Sequence, residues 1–288
     1  MKNKSAIQRM NEFNSKCAVL GVELFEFGFD EESDEVFITK IYVPHNEPKP
    51  EIQFPSFVSW VDYDAWHDNS ALKNCLIYIP KGCSIALNLE ETLAFRYFGQ
   101  CAREIVVEDG HEEYSGENGV LFNKDKTVLL AYPAGKTDES YTVPESVIKI
   151  ENGAFYEHKY LRKLYISSNV VEIRNCQFLG KMRMEVDAEN TAYKSVKGSL
   201  YSKDGKIAHH LFAHGSGKVR IEEGTLIVKE MYLIGDFEEL YLPSSLKPID
   251  GVIPLLADIQ GSYEQIVAPE VLKEYLEVFK NTYEMIYY

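Results

Sequence analysis

Apolar residues recur at a constant spacing in two adjacent segments of the chain. The first segment is YTVPESVIKIENGAFYEHKYL (141–161), and the second is LYISSNVVEIRNCQFLGKMRM (164–184). Seven positions match at the single offset that aligns Tyr141 with Leu164. One unit of this length cannot bury its own apolar face, whereas stacked copies share a continuous core. The pattern therefore predicts a solenoid of repeats that are each about 23 residues long.

Further copies of this pattern lie upstream and downstream. The segment from Pro55 to Leu72 repeats the apolar positions of 144–161, and a weaker copy runs from Leu240 to Leu246. Nine short strands at about 4.8 Å each would form one parallel sheet along a rod roughly 40 Å long. These strands are predicted near Ile52, Leu76, Ile105, Tyr141, Leu164, Arg183, Val219, Leu240 and Gln265.

A second, longer internal repeat relates two other segments. Val107, Tyr114 and Gly119 recur at one constant offset as Val186, Tyr193 and Gly198. In both segments an apolar strand (GVLF or GSLY) meets a polar turn (NKDK or SKDGK), and a second apolar strand follows. This arrangement predicts two β-hairpins, which we expect to project from the solenoid as insertions.

The N-terminal segment 1–51 falls outside the repeat. It contains a predicted amphipathic helix from Asn3 to Ser15 and strand-like runs over 17–29 and 35–43. An open solenoid end exposes core and a strand edge. The sequence therefore predicts an α+β cap over 1–51 and a solenoid over 52–288.

The C-terminal segment predicts a second cap. Apolar residues between Glu270 and Lys280 have helical spacing, which indicates a helix whose apolar side faces the core. Those residues are Val271, Leu272, Tyr275, Leu276 and Phe279.

The repeat segments of this sequence resemble the BspA-like leucine-rich-repeat family. The segment 141–161 matches the pattern IPxSVxxIxxxAFxxCxxL, with His158 where the family usually has cysteine. GVLFNKDKTVLLAYPAG (119–135) looks like the family's linking element, and IVAPEVLKEYLEVF (266–279) is similar to its closing unit. The resemblance implies an α/β, mostly β, solenoid. It also implies an adhesion or protein-binding surface, often on bacterial cell exteriors, without fixed catalytic residues.

The charge of the chain restricts its partners. The formal net charge is -15, and the densest basic stretch, 159–163, holds only three cations. We therefore expect no local basic patch, no nucleic-acid partner and no adhesion to an anionic membrane. The sequence has no run of 18 apolar residues, which predicts no membrane insertion. The first twenty residues do not resemble a secretory signal, which predicts a cytoplasmic location.

Residues that could carry chemistry are few and scattered. The five cysteines form no CxxC pair, so we expect reduced, partly buried thiols; a nucleophilic role for Cys101 or Cys176 stays open. His209, His210 and His214 are the only histidine cluster, but neighbours in a strand point to opposite faces. The acidic turn Asp30–Glu35 lacks the spacing of a calcium loop. The sequence thus predicts no catalytic residue, metal or cofactor.

The remaining hypothesis is an interaction surface. We predict a non-enzymatic module that presents an extended repeat surface to an unknown protein partner. Aromatic residues on the strands are the candidate contacts, namely Tyr78, Tyr165, Tyr201 and Tyr241. A carbohydrate-binding or cell-surface adhesion protein is the alternative, because tyrosine rings can stack on sugars. An enzyme with an unrecognised site is a third, less supported hypothesis.

Overall fold

The structure is a computed structural model, and it describes residues 5–20, 24–42, 51–62, 65, 74–85, 99, 102–174, 182–229, 231–247, 262–277, 280 and 284–288. The chain forms two compact units. The first comprises Met1–Asp138, Ser146–Tyr160 and Glu172–Gln177, and the second comprises Glu139–Glu145, Leu161–Val171 and Phe178–Tyr288. The division into a cap over 1–51 and a solenoid over 52–288 stays a prediction.

Short strands dominate both units. In its described part the first unit contains α1 (Ala6–Leu20), β1 (Phe25–Asp30), β2 (Glu35–Ile41), β3 (Glu51–Gln53), β4 (Val58–Val61), β5 (Cys75–Ile79), β6 (Ala102–Val107), β7 (Tyr114–Glu117), β8 (Val120–Asn123), β9 (Val128–Ala131), β11 (Lys149–Ile150) and β13 (Glu172–Ile173). The second contains β10 (Ser140–Thr142), β12 (Lys163–Ile166), β14 (Arg183–Val186), β15 (Tyr193–Val196), β16 (Ser199–Ser202), β17 (Ile207–His214), β18 (Gly217–Arg220), β19 (Ile227–Val228), β20 (Met231–Ile234), β21 (Asp236–Tyr241), β22 (Ser262–Ala268), a 3₁₀ helix (Glu270–Leu272), α2 (Lys273–Leu276) and β23 (Glu284–Tyr287).

Parallel pairing between successive copies builds the solenoid. Tyr141 pairs with Leu164 and Lys149 pairs with Glu172, at the spacing that the sequence predicts. The parallel sheets have the strand orders β3-β5-β6, β10-β12-β14 and β18-β21-β22-β23. All nine predicted strand positions lie within these strands. The prediction of a mostly β repeat solenoid is therefore confirmed.

The prediction of one continuous parallel sheet is wrong, because the described strands form three separate parallel sheets. In the first unit the backbone N–H of Ile105, on β6, donates to the carbonyl of Gly119 at 3.0 Å. In the second, Met184 of β14 donates to Gly198 at 2.8 Å. A glycine at the hairpin turn thus occupies the edge that the next parallel strand would use, and the sheet ends there.

The prediction that the hairpins project as insertions is also wrong. Strands β7-β8-β9 pair antiparallel, but β9 is followed in the same sheet by the parallel strands β11 and β13. In the second unit β15-β16-β17 is continued in the same way by β19. Val120, Leu121 and Phe122 of β8 are fully buried. Both hairpins are therefore part of the core.

A buried polar residue connects each hairpin, through hydrogen bonds, to the solenoid turn that precedes it. Asn190 donates through Nδ2 to the carbonyls of Ser167 and Val170 at 2.8 and 2.9 Å. Its Oδ1 accepts from the backbone N–H groups of Ala192 and Tyr193 at 2.9 and 2.7 Å. His111 occupies the equivalent position in the earlier copy of the longer internal repeat, with hydrogen bonds to Cys83, Glu113 and Tyr114. The two copies of the longer internal repeat therefore share the same kind of buried hydrogen-bonded residue. The sequence comparison did not single out either His111 or Asn190.

The N-terminal segment contains the predicted helix and strand pair with a different boundary. Helix α1 continues through Cys17 to Leu20, so the expectation of a strand-like run over 17–29 is wrong at its start. A short apolar run does not by itself distinguish a helix from a strand. Strands β1 and β2 form the expected hairpin, and β2 pairs in parallel with β4. Whether this segment covers a solenoid end stays a prediction.

The predicted C-terminal helix begins at Glu270 as a 3₁₀ helix and continues as α2 from Lys273 to Leu276. Leu272 and Leu276 are buried, because residues four apart share one helix face. Val271 is 70% exposed and Tyr275 is 37% exposed, so the expectation that both face the core is wrong. Phe279 lies outside the described residues. The sequence analysis also missed β23, which pairs in parallel with β22.

Candidate functional site

One half-buried tyrosine occupies an inner strand of each parallel sheet. Tyr78 lies on β5 between Gln53 and Val106, and Tyr165 lies on β12 between Thr142 and Glu185. Tyr241 lies on β21 between Arg220 and Val267. Side chains alternate along a strand, and the neighbours of these tyrosines are buried in the core. The three rings are therefore on the outward face of their sheets.

The fourth candidate contact, Tyr201, is corrected by the structure. It is only 2% exposed and packs in the core of the second unit. Burial raises the pKa of its hydroxyl above the usual value. Tyr201 lies on β16, whose hairpin is continued by solenoid strands, so its side chain cannot form a partner contact. The sequence analysis included it because it lies on a predicted strand, and the sequence alone does not show which tyrosines on the strands point outward.

Two charged side chains, Lys163 and Glu185, lie beside the ring of Tyr165. The ammonium nitrogen of Lys163 lies 4.4 Å from the centre of the Tyr165 ring, within the range of a cation–π interaction. The same nitrogen is 2.6 Å from Oε1 of Glu185 on the neighbouring strand. The hydrogen bond to Glu185 raises the pKa of Lys163. The ring, cation and carboxylate form one ordered cluster on the sheet face.

The same kind of cluster surrounds Tyr241. The guanidinium carbon of Arg220 lies 3.7 Å from the centre of the Tyr241 ring. Lys218, two residues earlier on β18, forms an ion pair of 2.7 Å with Glu239 on β21. This contact raises the pKa of Lys218 and lowers that of Glu239. Two sheets of the second unit thus share one arrangement of tyrosine, cation and cross-strand carboxylate.

Tyr78 has different surroundings. Partial burial raises the pKa of its hydroxyl, and the nearby carboxylates of Glu108 and Asp109 raise it further. Glu108 is held in place because its Oε2 accepts the backbone N–H of Lys81 at 2.7 Å. The outward tyrosine of the first unit therefore has an acidic neighbourhood, whereas those of the second unit have cations beside them.

The second unit also contains a groove of about 580 Å³. It is lined by residues at or just before the starts of β12 and β14, by the hairpin formed by β15, β16 and β17, by the edge strand β18 with the segment that follows it, and by one residue of β21. Buried apolar side chains, including Phe212 and Phe237, form part of its lining. Its charged lining is Arg162, Arg183, Lys197, Lys218 and Arg220, against the single carboxylate of Glu222.

This groove contradicts the expectation of no local basic patch. No segment of the sequence is rich in cations, yet stacking brings together residues that are far apart in the chain, from Arg162 to Arg220. All five cations are exposed. A second hollow of about 510 Å³ shares Lys197, Arg220 and Glu222 with the groove and extends to Tyr241 and Tyr288. The sequence analysis excluded a nucleic-acid partner because of the net charge and because it expected no basic patch. Only the net charge of -15 still supports that expectation.

No protein-family model and no curated protein matches this chain. Among solved structures it is similar to the pneumococcal vaccine antigen PcpA, with 15% identity, a TM-score of 0.43, and coverage of 83% of this chain and 67% of the antigen chain. It is also similar to a leucine-rich repeat protein from Eubacterium ventriosum, with 18% identity, a TM-score of 0.34, and coverage of 69% and 60% of the two chains. The solved structures that this chain resembles thus include one leucine-rich repeat protein.

A third similar structure is a leucine-rich cell surface protein from Faecalibacterium prausnitzii, with 16% identity and a TM-score of 0.34. The match covers 74% of this chain and 59% of that one, so the chain spans about three fifths of the length of these last two proteins. In the part of the chain that the structure describes, no helix has the length and apolar character to cross a membrane.

The histidine cluster does not converge on one point. His210 is fully buried, and its Nε2 lies 3.2 Å from the carbonyl oxygen of Met182. His209 is half-buried and contacts the Tyr193 ring, whereas His214 is exposed. Burial lowers the pKa of both His209 and His210 to about 4. Within the described ranges, no three His, Cys, Asp or Glu side chains are placed to share a metal ion.

The thiols and the acidic turn have structural surroundings. Burial raises the pKa of Cys75 to about 11 and that of Cys83 to about 12, which disfavours the reactive thiolate. Cys17 is half-buried, and Cys101 and Cys176 lie outside the described residues. The acidic turn joins β1 to β2, and Oδ1 of Asp30 accepts the backbone N–H of Glu32 at 2.9 Å. That turn is an exposed hairpin tip, as the sequence indicates.

Proposed function

We propose that this chain is a non-enzymatic interaction protein that binds a protein partner through the outward face of its parallel sheets. One observation carries the proposal: an outward tyrosine recurs on an inner strand of each sheet, at Tyr78, Tyr165 and Tyr241. Tyrosine is enriched at protein interfaces because its ring buries a large area while few rotatable bonds are fixed. A recurring outward ring therefore suits a contact surface.

The charged neighbours support this proposal. Lys163 and Arg220 lie over the rings of Tyr165 and Tyr241, and the Lys163–Glu185 pair connects adjacent strands. An interface of ordered side chains loses less conformational entropy when a partner binds than one of mobile side chains. The charges also favour partners with complementary charge over other proteins.

The absence of catalysis is part of the proposal. It is supported by the burial of Cys75 and Cys83 and by the different directions of His209 and His210, which leave no assembled nucleophile and base among these candidates. The cytoplasmic location stays a prediction from the sequence.

Carbohydrate binding is the second candidate, because exposed tyrosine rings can stack on sugars. The cations at Tyr165 and Tyr241 lie over one face of each ring, which leaves only the other face for a sugar. This geometry favours a protein partner. A glycan array with the wild type and Tyr78→Ala separates the candidates, because specific glycan signals that depend on Tyr78 would replace the proposal of a protein partner. Cell-surface adhesion is a form of either candidate.

An affinity pull-down with matched variants tests the proposal. Purified wild type, Tyr165→Ala, Tyr241→Ala and Tyr160→Ala are incubated with extracts of the source organism and of cells that it contacts. Tyr160 is 45% exposed but lies outside the parallel strands, so it controls for loss of any exposed tyrosine. We expect a protein that the wild type and Tyr160→Ala retain and that Tyr165→Ala or Tyr241→Ala loses. Equal recovery by all four proteins would contradict the proposal.

A further inference from the structure

The basic groove of the second unit has a composition opposite to that of the whole chain. Five exposed cations and one carboxylate line it, whereas the chain carries 45 acidic and 30 basic residues. Lys218 pairs with Glu239 at 2.7 Å and Lys197 pairs with Glu222 at 3.5 Å, so two carboxylates offset part of this charge. The five cations still outnumber these two carboxylates, and such an excess of positive charge attracts an anion. Its volume of about 580 Å³ lies within the range of about 300–1,000 Å³ for ligand sites. The groove therefore favours an anionic occupant.

The lining also favours an extended peptide. Strand β18 is an edge strand of its sheet, and its residues Lys218, Val219 and Arg220 line the groove. Its outer side pairs with no strand in the part of the chain that the structure describes. An edge strand can add a strand from another protein through main-chain hydrogen bonds. Such a strand would alternate between the cations and the apolar lining, which includes Val196 and Phe237.

A glycine keeps space for one of the cations. Gly198, at the turn between β15 and β16, has a φ of +93°, and a Cβ there would lie 3.1 Å from Nε of Arg183. The equivalent turn glycine of the first unit, Gly119, packs against Glu104 instead. The same backbone turn therefore accompanies a cation in the second unit and a carboxylate in the first. The basic groove is particular to the second unit and is not a necessary product of the repeat.

We propose that this groove binds an extended acidic segment of a protein partner, in which carboxylates alternate with apolar residues. The proposal deepens the proposed function and rests on its claim that the partner is a protein. A long polyanion fits less well, because the carboxylates of Glu185 and Glu239 flank the groove strands and the net charge of the chain is -15. A short acidic segment ends before it reaches those repulsive charges.

Fluorescence anisotropy of the full chain tests the proposal. The probe is a fluorescein-labelled peptide of alternating glutamate and valine, and its control replaces glutamate with glutamine. We expect saturable binding of the glutamate peptide, at least tenfold weaker binding of the glutamine peptide, and weaker binding as salt rises because charges are screened. No saturable binding of the glutamate peptide at millimolar protein would overturn the proposal.

Matched charge reversals locate the site. Arg183→Glu and Lys197→Glu each change one groove cation, and Lys124→Glu makes the same charge change at an exposed residue of the first unit. We expect at least tenfold weaker binding for either groove variant and less than a twofold change for Lys124→Glu. Circular dichroism checks that each variant is folded, and the second groove variant serves if one is not. Equal weakening by all three would overturn the assignment to the groove.

Two further arms separate this inference from the proposed function. Tyr78→Ala changes an outward ring of the first unit, so it should leave peptide binding within twofold of the wild type even if it abolishes partner capture. Heparin and single-stranded DNA are titrated as competitors. If either binds at least tenfold more tightly than the glutamate peptide and loses that affinity in Arg183→Glu, the groove serves a polyanion and the peptide proposal is wrong.

Discussion

The side chain of Asn190 makes four hydrogen bonds from a fully buried position, and its removal should strongly destabilise the second unit. Asn190→Ala removes two donated and two accepted bonds, all to backbone groups of the same unit. A hydrogen bond contributes about 1 kcal/mol net to stability, so the four together are worth about 4 kcal/mol. Buried backbone groups left without a partner increase the loss.

Urea unfolding followed by circular dichroism measures this loss. The matched control is Asn169→Ala, because Asn169 is an exposed asparagine whose Nδ2 donates to the carbonyl of Glu145 at 2.7 Å. Water can replace that bond, so we expect a loss below about 1 kcal/mol for the control. If Asn190→Ala lowers the free energy of unfolding by no more than Asn169→Ala does, the assignment of Asn190 as the connection between solenoid turn and hairpin is wrong.

Three other outcomes follow from the geometry. Iodoacetamide at pH 8 should leave Cys83 unmodified in the folded protein, since burial raises its pKa to about 12; mass spectrometry showing rapid native labelling would contradict its burial. His210 has a pKa lowered to about 4, so folding favours its neutral form. The stability that neutral His210 contributes should therefore be fully present above about pH 6.5 and fall by about 3 kcal/mol as the pH drops towards 4, in addition to the loss from His209, whose pKa is also lowered to about 4. A His210→Gln variant that loses as much stability over this pH range as the wild type would refute this. Gly198→Ala should lower stability by about 1–3 kcal/mol in thermal unfolding because its φ is +93°, and an unchanged midpoint would count against a strained turn.

The sequence predicts the strands well because the repeat forces them into register. Tyr141 and Leu164 are aligned by the repeat in the sequence and are paired in the structure. Alternation along those strands also explains why Tyr165 and Tyr241 lie on the outward face. The interruption of the sheet was not predictable from the same pattern. It depends on the carbonyls of Gly119 and Gly198, and a repeat alignment contains no information on hydrogen-bond direction.

The basic groove was missed for a related reason. Arg162 lies in a stretch with only two other cations, and Arg183 is 21 residues away in the sequence. Their proximity to Lys218 depends on how the hairpin separates two sheets. Tyr201 was a wrong candidate because it is buried in the core. The sequence of the hairpin does not show this burial, which arises because later strands continue the hairpin's sheet. A closer comparison of the two copies of the longer internal repeat could have found His111 and Asn190, because each lies at the same distance before an aligned tyrosine, Tyr114 or Tyr193.

Site-specific photo-crosslinking tests the central claim most directly, namely that the outward sheet face contacts a protein partner. A benzophenone amino acid replaces Tyr165 in one sample and Tyr160 in another, and both are irradiated with the extract that yields the captured protein. We predict a crosslink to that protein from position 165 and little from position 160, which is exposed but lies outside the parallel strands. Crosslinks from position 160 alone would place the contact elsewhere and contradict the claim.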